Sequence, residues 1–167
     1  GKTNKGNPDL KPEESEAFEV GLKYNTYFLR AHIAGFYRKG KNMIDWVKEK
    51  PEDIWESQNL TKVDNLGFET NLSLLPRELG NERFFIRKIE LGYAFIHQDK
   101  DSEGYISNYA LDYLKHKFTA QLSHSIWKGF SATWYVRWQD RAGSYTKYEN
   151  LKPAYEEPYA PYCLVDM

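Results

Sequence analysis

The chain has 167 residues and a formal net charge of −1, enough for one ordinary domain and too near neutrality to hold nucleic acid or an anionic membrane surface by charge. Hydrophobic residues make up 41% and aromatics 16%, with 13 Tyr, 9 Phe and 5 Trp, a bias toward strands. There is no run of ~18 consecutive apolar residues to make a membrane helix, no signal-peptide order at the N-terminus, and a single cysteine, Cys163, which can form no internal disulfide.

A mean hydropathy of −0.75 would suit a soluble chain. A transmembrane strand, however, alternates lipid-facing with lumen-facing residues and averages that signal away. The chain begins Gly1-Lys2-Thr3 and stops inside the apolar stretch that ends at Met167, which reads as an excised piece of a larger protein.

The first element follows Asn7-Pro8-Asp9-Leu10-Lys11-Pro12-Glu13-Glu14, a proline-clamped approach to a strand of clean alternation. Phe18, Val20, Leu22 and Tyr24 share one face, and Glu19, Gly21, Lys23 and Asn25 share the other. A second strand is predicted at 27–38, with Leu29, Ala31, Ile33, Gly35 and Tyr37 opposing Arg30, His32 and Arg38, although Phe28 and Phe36 blur the polar side.

The third runs over 63–75 (Leu66, Phe68, Leu72, Leu74 against Asn65, Gly67, Glu69, Asn71) and the fourth over 84–97 (Ile89, Leu91, Tyr93, Phe95 against Lys88, Glu90, Gly92). In the fifth, 111–127, Leu114, Phe118, Ala120, Leu122 and Ile126 oppose Lys115, Lys117, Thr119 and Gln121, with His116 and His124 as exceptions on the apolar face. The sixth alternates Phe130, Ala132, Trp134, Val136 and Trp138 with Ser131, Thr133, Tyr135 and Arg137, and a seventh starts near Tyr162. The expectation is an all-β antiparallel meander of about seven strands, each near the ~9–11 residues that cross a bilayer.

Alternation alone also suits a soluble sandwich. The connections separate the two, because short ones (25–26, 76–83, 128–129) alternate with long ones (39–62, 98–110, 140–161). Outer-membrane barrels show this asymmetry between periplasmic turns and extracellular loops. Aromatics recur at the short turns, as Tyr24 and Tyr27, Phe84 and Phe85, and Trp127 and Phe130, where a barrel places its interfacial girdle. On that frame Asn7 to Glu13 belong at the extracellular end.

The run Asn7-Pro8-Asp9-Leu10-Lys11-Pro12-Glu13 with Glu19 and Gly21 resembles the signature of the C-terminal barrel region of TonB-dependent outer-membrane receptors. Ala34-Gly35-Phe36-Tyr37-Arg38 with Met43-Ile44-Asp45-Trp46, and Asn59 with Val63, Gly67, Phe68 and Glu69, extend the likeness. The resemblance implies that residues 1–167 are the C-terminal portion of a ~22-stranded barrel in a Gram-negative outer membrane, with the plug domain and final strands absent.

It further implies a receptor that imports a scarce nutrient with energy from TonB, which would be contacted through the missing N-terminal part. The Asp45-Trp46 pattern and the short turn at Asn25-Thr26 look like the cobalamin-receptor branch, with ferric siderophore receptors as near relatives. Glu19, Lys23, Glu69, Lys88, Glu90, Lys115, Lys117 and Arg137 would line the lumen, and Leu22, Phe68, Leu91, Leu122 and Trp134 would touch lipid.

Enzyme chemistry finds no footing. Glu13, Glu14, Glu16 and Glu19 sit at an exposed strand start and not in a pocket that separates two pKa values, and no P-loop, GxSxG or GxGxxG is present. The histidines (His32, His97, His116, His124) lack metal-ligand spacing, so no metal and no cofactor is assigned. The candidate ligand contacts are aromatics of the long connections, Trp46, Trp55, Tyr105, Tyr109, Tyr145, Tyr148 and Tyr155, whose flat rings bind chelates, sugars or corrin faces at small entropic cost. The competing expectation is a soluble all-β ligand- or carbohydrate-binding module using those same rings. A barrel piece taken alone would leave two sheet edges open and self-associate through them.

Overall fold

In the computed structural model the described residues are 4–50, 52–80, 84–101, 104–107, 113–149 and 152–167, with backbone only at 60, 61, 146, 152–154 and 156. They contain eleven strand segments: β1 (Asn4–Lys5), β2 (Glu14–Asn25), β3 (Leu29–Lys48), β4 (Trp55–Leu74), β5 (Ile86–Asp101), β6 (Ile106–Ser107), β7 (Leu114–Trp127), β8 (Phe130–Arg141), β9 (Ser144–Glu149), β10 (Lys152–Pro158) and β11 (Tyr162–Asp166). Seven of them form one antiparallel meander in the order β2-β3-β4-β5-β7-β8-β11, the expected architecture. β1 joins β4 in parallel, β6 joins β3, and β9 with β10 make a separate two-stranded sheet.

The extra segments lie where the sequence predicts long loops. Residues 39–62 are mostly strand: β3 and β4 each run 20 residues and pair from Leu29↔Leu74 to Val47↔Glu56, leaving only 49–54 as the connection. The alternation that breaks down around Gly40-Lys41-Asn42 is absorbed by Asn42 at φ 54° without a slip in register. Residues 140–161 likewise contain β9 and β10, and 98–110 contain the end of β5 and β6.

At the other end, the first turn occupies 26–28 and not two residues, and the second spans 75–85 around a 3₁₀ turn at Pro76–Leu79 closed by Gly80 at φ 100°. Arg77 braces that second turn by donating to the Phe84 carbonyl (2.9 Å) and the Ser125 hydroxyl (2.7 Å). Connection length by residue count therefore does not sort the two ends. The ends differ in reach: the sheet stops at the turns on one side, while β3–β4 and β9–β10 carry the chain onward at the other.

The meander is inside out relative to a soluble domain. Among the described residues only Ala34 and Val47 are buried hydrophobics, whereas Val20 is 75% and Trp127 77% exposed. Register explains the arrangement. Tyr24, Ala31, Leu72, Leu91, Ala120, Val136 and Val165 form one cross-strand row over all seven strands, and Lys23, His32, Asn71, Gly92, Thr119, Arg137 and Leu164 form the adjacent row on the opposite face. The first face is almost wholly apolar and lies open, which water would penalise and lipid would not.

The two histidines on that apolar face are satisfied by aromatic partners. Tyr93 Oη lies 2.8 Å from His116 Nδ1, and Trp134 Nε1 donates to His124 Nε2 at 3.0 Å. Phe36, which blurs the polar face, lies over its cross-strand partner Gly67, where a Cβ would sit 2.5 Å from the Phe36 ring and 2.5 Å from the Phe95 carbonyl oxygen. Gly67 thus makes room for an aromatic on a face otherwise meant for small or polar groups.

Candidate functional site: the lumen wall and the clasped hairpin

The polar face is concave. One hollow of about 400 Å³ is bordered by residues from every strand of the meander, from Lys23 on β2 through Arg30, Glu90 and Arg137 to Asp166 on β11, which requires the sheet to curl. Register puts Glu19, Lys23, Glu69, Glu90, Lys117 and Arg137 on this face together. Lys88 joins them through a 2.8 Å ion pair with Glu90. Lys115 falls at the register shift between Leu114 and His116. Gly21 opposes Ala34 here, and a Cβ on it would stand 3.1 Å from the Ile33 carbonyl and 3.3 Å from Ala34 Cβ.

Beyond the meander, the projecting ends of β3 and β4 are gripped by two other segments. Asn7 to Glu13 cross one face as a strap. Asn7 closes an Asx turn on the Asp9 amide (2.9 Å) and gives its own amide to Ser57 Oγ (2.9 Å), the Lys11 amide goes to Asn59 Oδ1 (2.8 Å), and Glu13 Oε1 accepts the Ile44 amide (2.8 Å). Asn59 Nδ2 in turn donates to the Lys11 carbonyl (2.9 Å) and the Asn42 carbonyl (2.6 Å). Asn42 is the residue with the left-handed φ.

Pro8 and Pro12, which have no amide to offer, are spaced so that the intervening Lys11 amide remains free for Asn59. Replacing Asn59 with Ala removes a side chain that makes three bonds. At about 1 kcal/mol net per bond, roughly 2–3 kcal/mol should be lost from the docked strap, measured as faster hydrogen exchange of the Lys11 amide in the full-length protein.

A buried ionic cluster lies on the opposite face of this hairpin, because Asp45 pairs with Gln58 while Ser57 and Asn59 point the other way. Lys100 Nζ donates to Asp45 Oδ2 at 2.8 Å, and both bond to Ser107 Oγ. The side chains of Lys100 and Asp45 are 7% and 2% exposed. Asp45 interrupts the apolar stretch Met43-Ile44-Asp45-Trp46-Val47 and could be suspected from sequence; Lys100, in the charged run Asp99-Lys100-Asp101, gives no such signal.

The candidate aromatics separate into two groups. Trp46 and Trp55 lie on β3 and β4 and not in a loop, with the Lys48 ammonium 4.6 Å above the Trp55 ring. Tyr105 lies just before β6 and lines a hollow of about 260 Å³ with Lys48, Glu49, Asp53 and Glu56. Tyr145 and Tyr148 lie on β9 and Tyr155 on β10, all exposed. Tyr109 falls outside the described residues.

On the β9–β10 hairpin, Tyr145 donates to Glu157 (3.0 Å) and Lys147 pairs with the same carboxylate (3.3 Å). These two contacts, the tyrosine hydroxyl first, hold the Glu157 carboxyl below its ordinary value of 4.5. The contribution is therefore complete above about 4.5 and disappears as pH falls through the lowered value. Acid titration followed by near-ultraviolet circular dichroism should show a tyrosine step in the wild type that is absent from Glu157→Gln.

A curled sheet with an apolar outer face, a charged concave face and aromatic-bordered turns defines a wall segment of a large transmembrane β-barrel. The chain belongs to the TonB dependent receptor-like β-barrel family, whose profile matches residues 1–167, and such barrels lie in the Gram-negative outer membrane. It is 28% identical over 105 residues to the vitamin B12 transporter BtuB of Vibrio vulnificus, covering 54% of this chain and 17% of that protein. With the vitamin B12 transporter BtuB of Photobacterium profundum it shares 26% identity over 133 residues, 75% of this chain and 21% of the relative.

Among solved structures, the FrpB iron transporter from Neisseria meningitidis superposes with a TM-score of 0.64 at 14% identity over 97% of this chain and 25% of its own. The copper transporter OprC gives 0.60 at 14% identity over 95% and 23%. The chain thus spans about a fifth of the curated relatives and a quarter of the structural neighbours. Membership of this family and the open apolar face decide against a soluble carbohydrate-binding module.

Proposed function

We propose that the chain is the C-terminal portion of a receptor barrel whose whole form binds a scarce nutrient outside the cell and passes it inward with energy from TonB. In that reading a plug domain and the remaining strands belong to other parts of the same protein. The observation that carries it is the profile match over residues 1–167 on a sheet whose charged face curls inward. Within the cobalamin or ferric-siderophore class, cobalamin is favoured, because the sequence relatives bear the name vitamin B12 transporter, whereas the structural neighbours support the fold alone.

The strap and hairpin mark the extracellular end, since they lie opposite the aromatic-bordered turns. Trp46, Trp55 and Tyr105 on one projection and Tyr145 and Tyr148 on the other are the proposed ligand-contacting rings. Asn7 to Glu13, with Glu19 and Gly21, position the wall and do not touch ligand. The test is uptake: the full-length parent, expressed in a strain lacking its own cobalamin and siderophore receptors, should restore TonB-dependent accumulation of labelled cyanocobalamin. Accumulation of ferric siderophore only would overturn the cobalamin assignment, and uptake unaffected by loss of TonB would overturn the mechanism.

A further inference from the structure

The strap and the Asp45 cluster belong to different parts of the chain, yet they meet in one row. Ser107 of β6 pairs with Val47 of β3, Val47 pairs with Glu56 of β4, and Glu56 pairs with Lys5 of β1. Because β3 and β4 occupy each other's inner edge, β6 must take the edge of β3 that β2 covers lower down, and β1 the edge of β4 that β5 covers. The result is a four-stranded extension of the same sheet, β6-β3-β4-β1, standing beyond the barrel wall, with Val47 buried at its centre.

We propose that these four strands are a single cooperative unit that couples β1 and the strap at Asn7 to Glu13 to β6, so that ordering one favours ordering the other. The physical basis is strand number. A lone two-stranded hairpin is marginal in water, and three or more strands are needed for independent stability. Among the described residues β1 and β6 contribute two ladder pairs each, and each docks on a hairpin that the other helps to keep ordered.

Side chains fasten the two outer strands at opposite ends of the row. On the β1 side, Lys5 pairs with Glu56 at 2.8 Å and Asn59 holds the strap. On the β6 side, the fastening is Ser107 with the buried Asp45–Lys100 pair. The coupling passes through the backbone pairing of β3 with β4 and needs no contact between the two fastenings. Whatever ligand the parent binds, order gained in one segment then lowers the entropic cost of ordering the other.

The experiment is hydrogen exchange on the full-length receptor in its native membrane or in detergent. Asn59→Ala, on the strap side, should accelerate exchange of whichever of the adjacent Ile106 and Ser107 amides donates to β3 by roughly fivefold or more. Lys100→Met, on the β6 side, should accelerate the Asn7 amide by a similar factor, as reciprocity requires. If Lys100→Met fails to assemble, Ser107→Ala serves the same arm with a smaller change. Acceleration confined to the mutated side in both arms would overturn the proposal, as would coupling in one direction only.

Discussion

Replacing Asp45 with alanine is expected to destabilise the projecting hairpin by about 3–5 kcal/mol, the usual cost of breaking a buried ion pair from one side. The reason is the burial of the Lys100 ammonium, whose side chain is 7% exposed and sits 2.8 Å from the carboxylate. Without it, a charge stays desolvated with its carboxylate gone. Exchange of the Val47 amide in the full-length receptor reports the loss, since Val47 is the buried centre of that region. The double variant Asp45→Leu with Lys100→Met should recover most of it, because replacing both partners by apolar groups of similar volume removes the desolvation penalty along with the attraction. A single variant that costs under about 1 kcal/mol would show that the pair is solvated in the working protein.

Leu122→Arg is expected to be the most damaging change in the membrane-spanning part. Leu122 pairs with Ile89 and Trp134 on the outward face, where a cation near the bilayer midplane costs about 2–4 kcal/mol. Its neighbour Gln121 pairs with Glu90 and Tyr135 on the concave face and borders the polar hollow. Gln121→Arg, one residue away, should therefore cost well under about 1 kcal/mol. Urea titration of the folded receptor in lipid vesicles measures both. Equal costs for the two substitutions would contradict the division of faces.

Much of the wall is legible in the amino-acid sequence, because a strand's faces are set by parity alone. Phe18 to Tyr24, Ile89 to Phe95 and Phe130 to Trp138 each divide cleanly, and their outward and inward residues fall where alternation places them. The exceptions, Phe36, His116 and His124, are visible as breaks in the pattern but not explicable from it, since their partners Gly67, Tyr93 and Trp134 lie on other strands.

The projecting half of the molecule departs from the loops that the sequence predicts, for a definite reason. Residues 39–62 lose the apolar/polar contrast because one face of that hairpin carries the strap and the other the Asp45 cluster, so periodicity has nothing to report. Backbone pairing continues regardless, since it depends on register and not on hydropathy.

The sequence by itself thus determined the strand number of the meander and its two faces, and the resemblance carried by Asn7 to Glu13 gave the family as an expectation. Those are consequences of local alternation and of a short motif. Only the tertiary structure decided that the motif is a strap read by Asn59, that Asp45 is neutralised by a lysine 55 positions later, and that β1 and β6 flank the projecting hairpin within the same sheet. Each of these depends on pairings between distant segments, which the curl and register of the folded wall bring together.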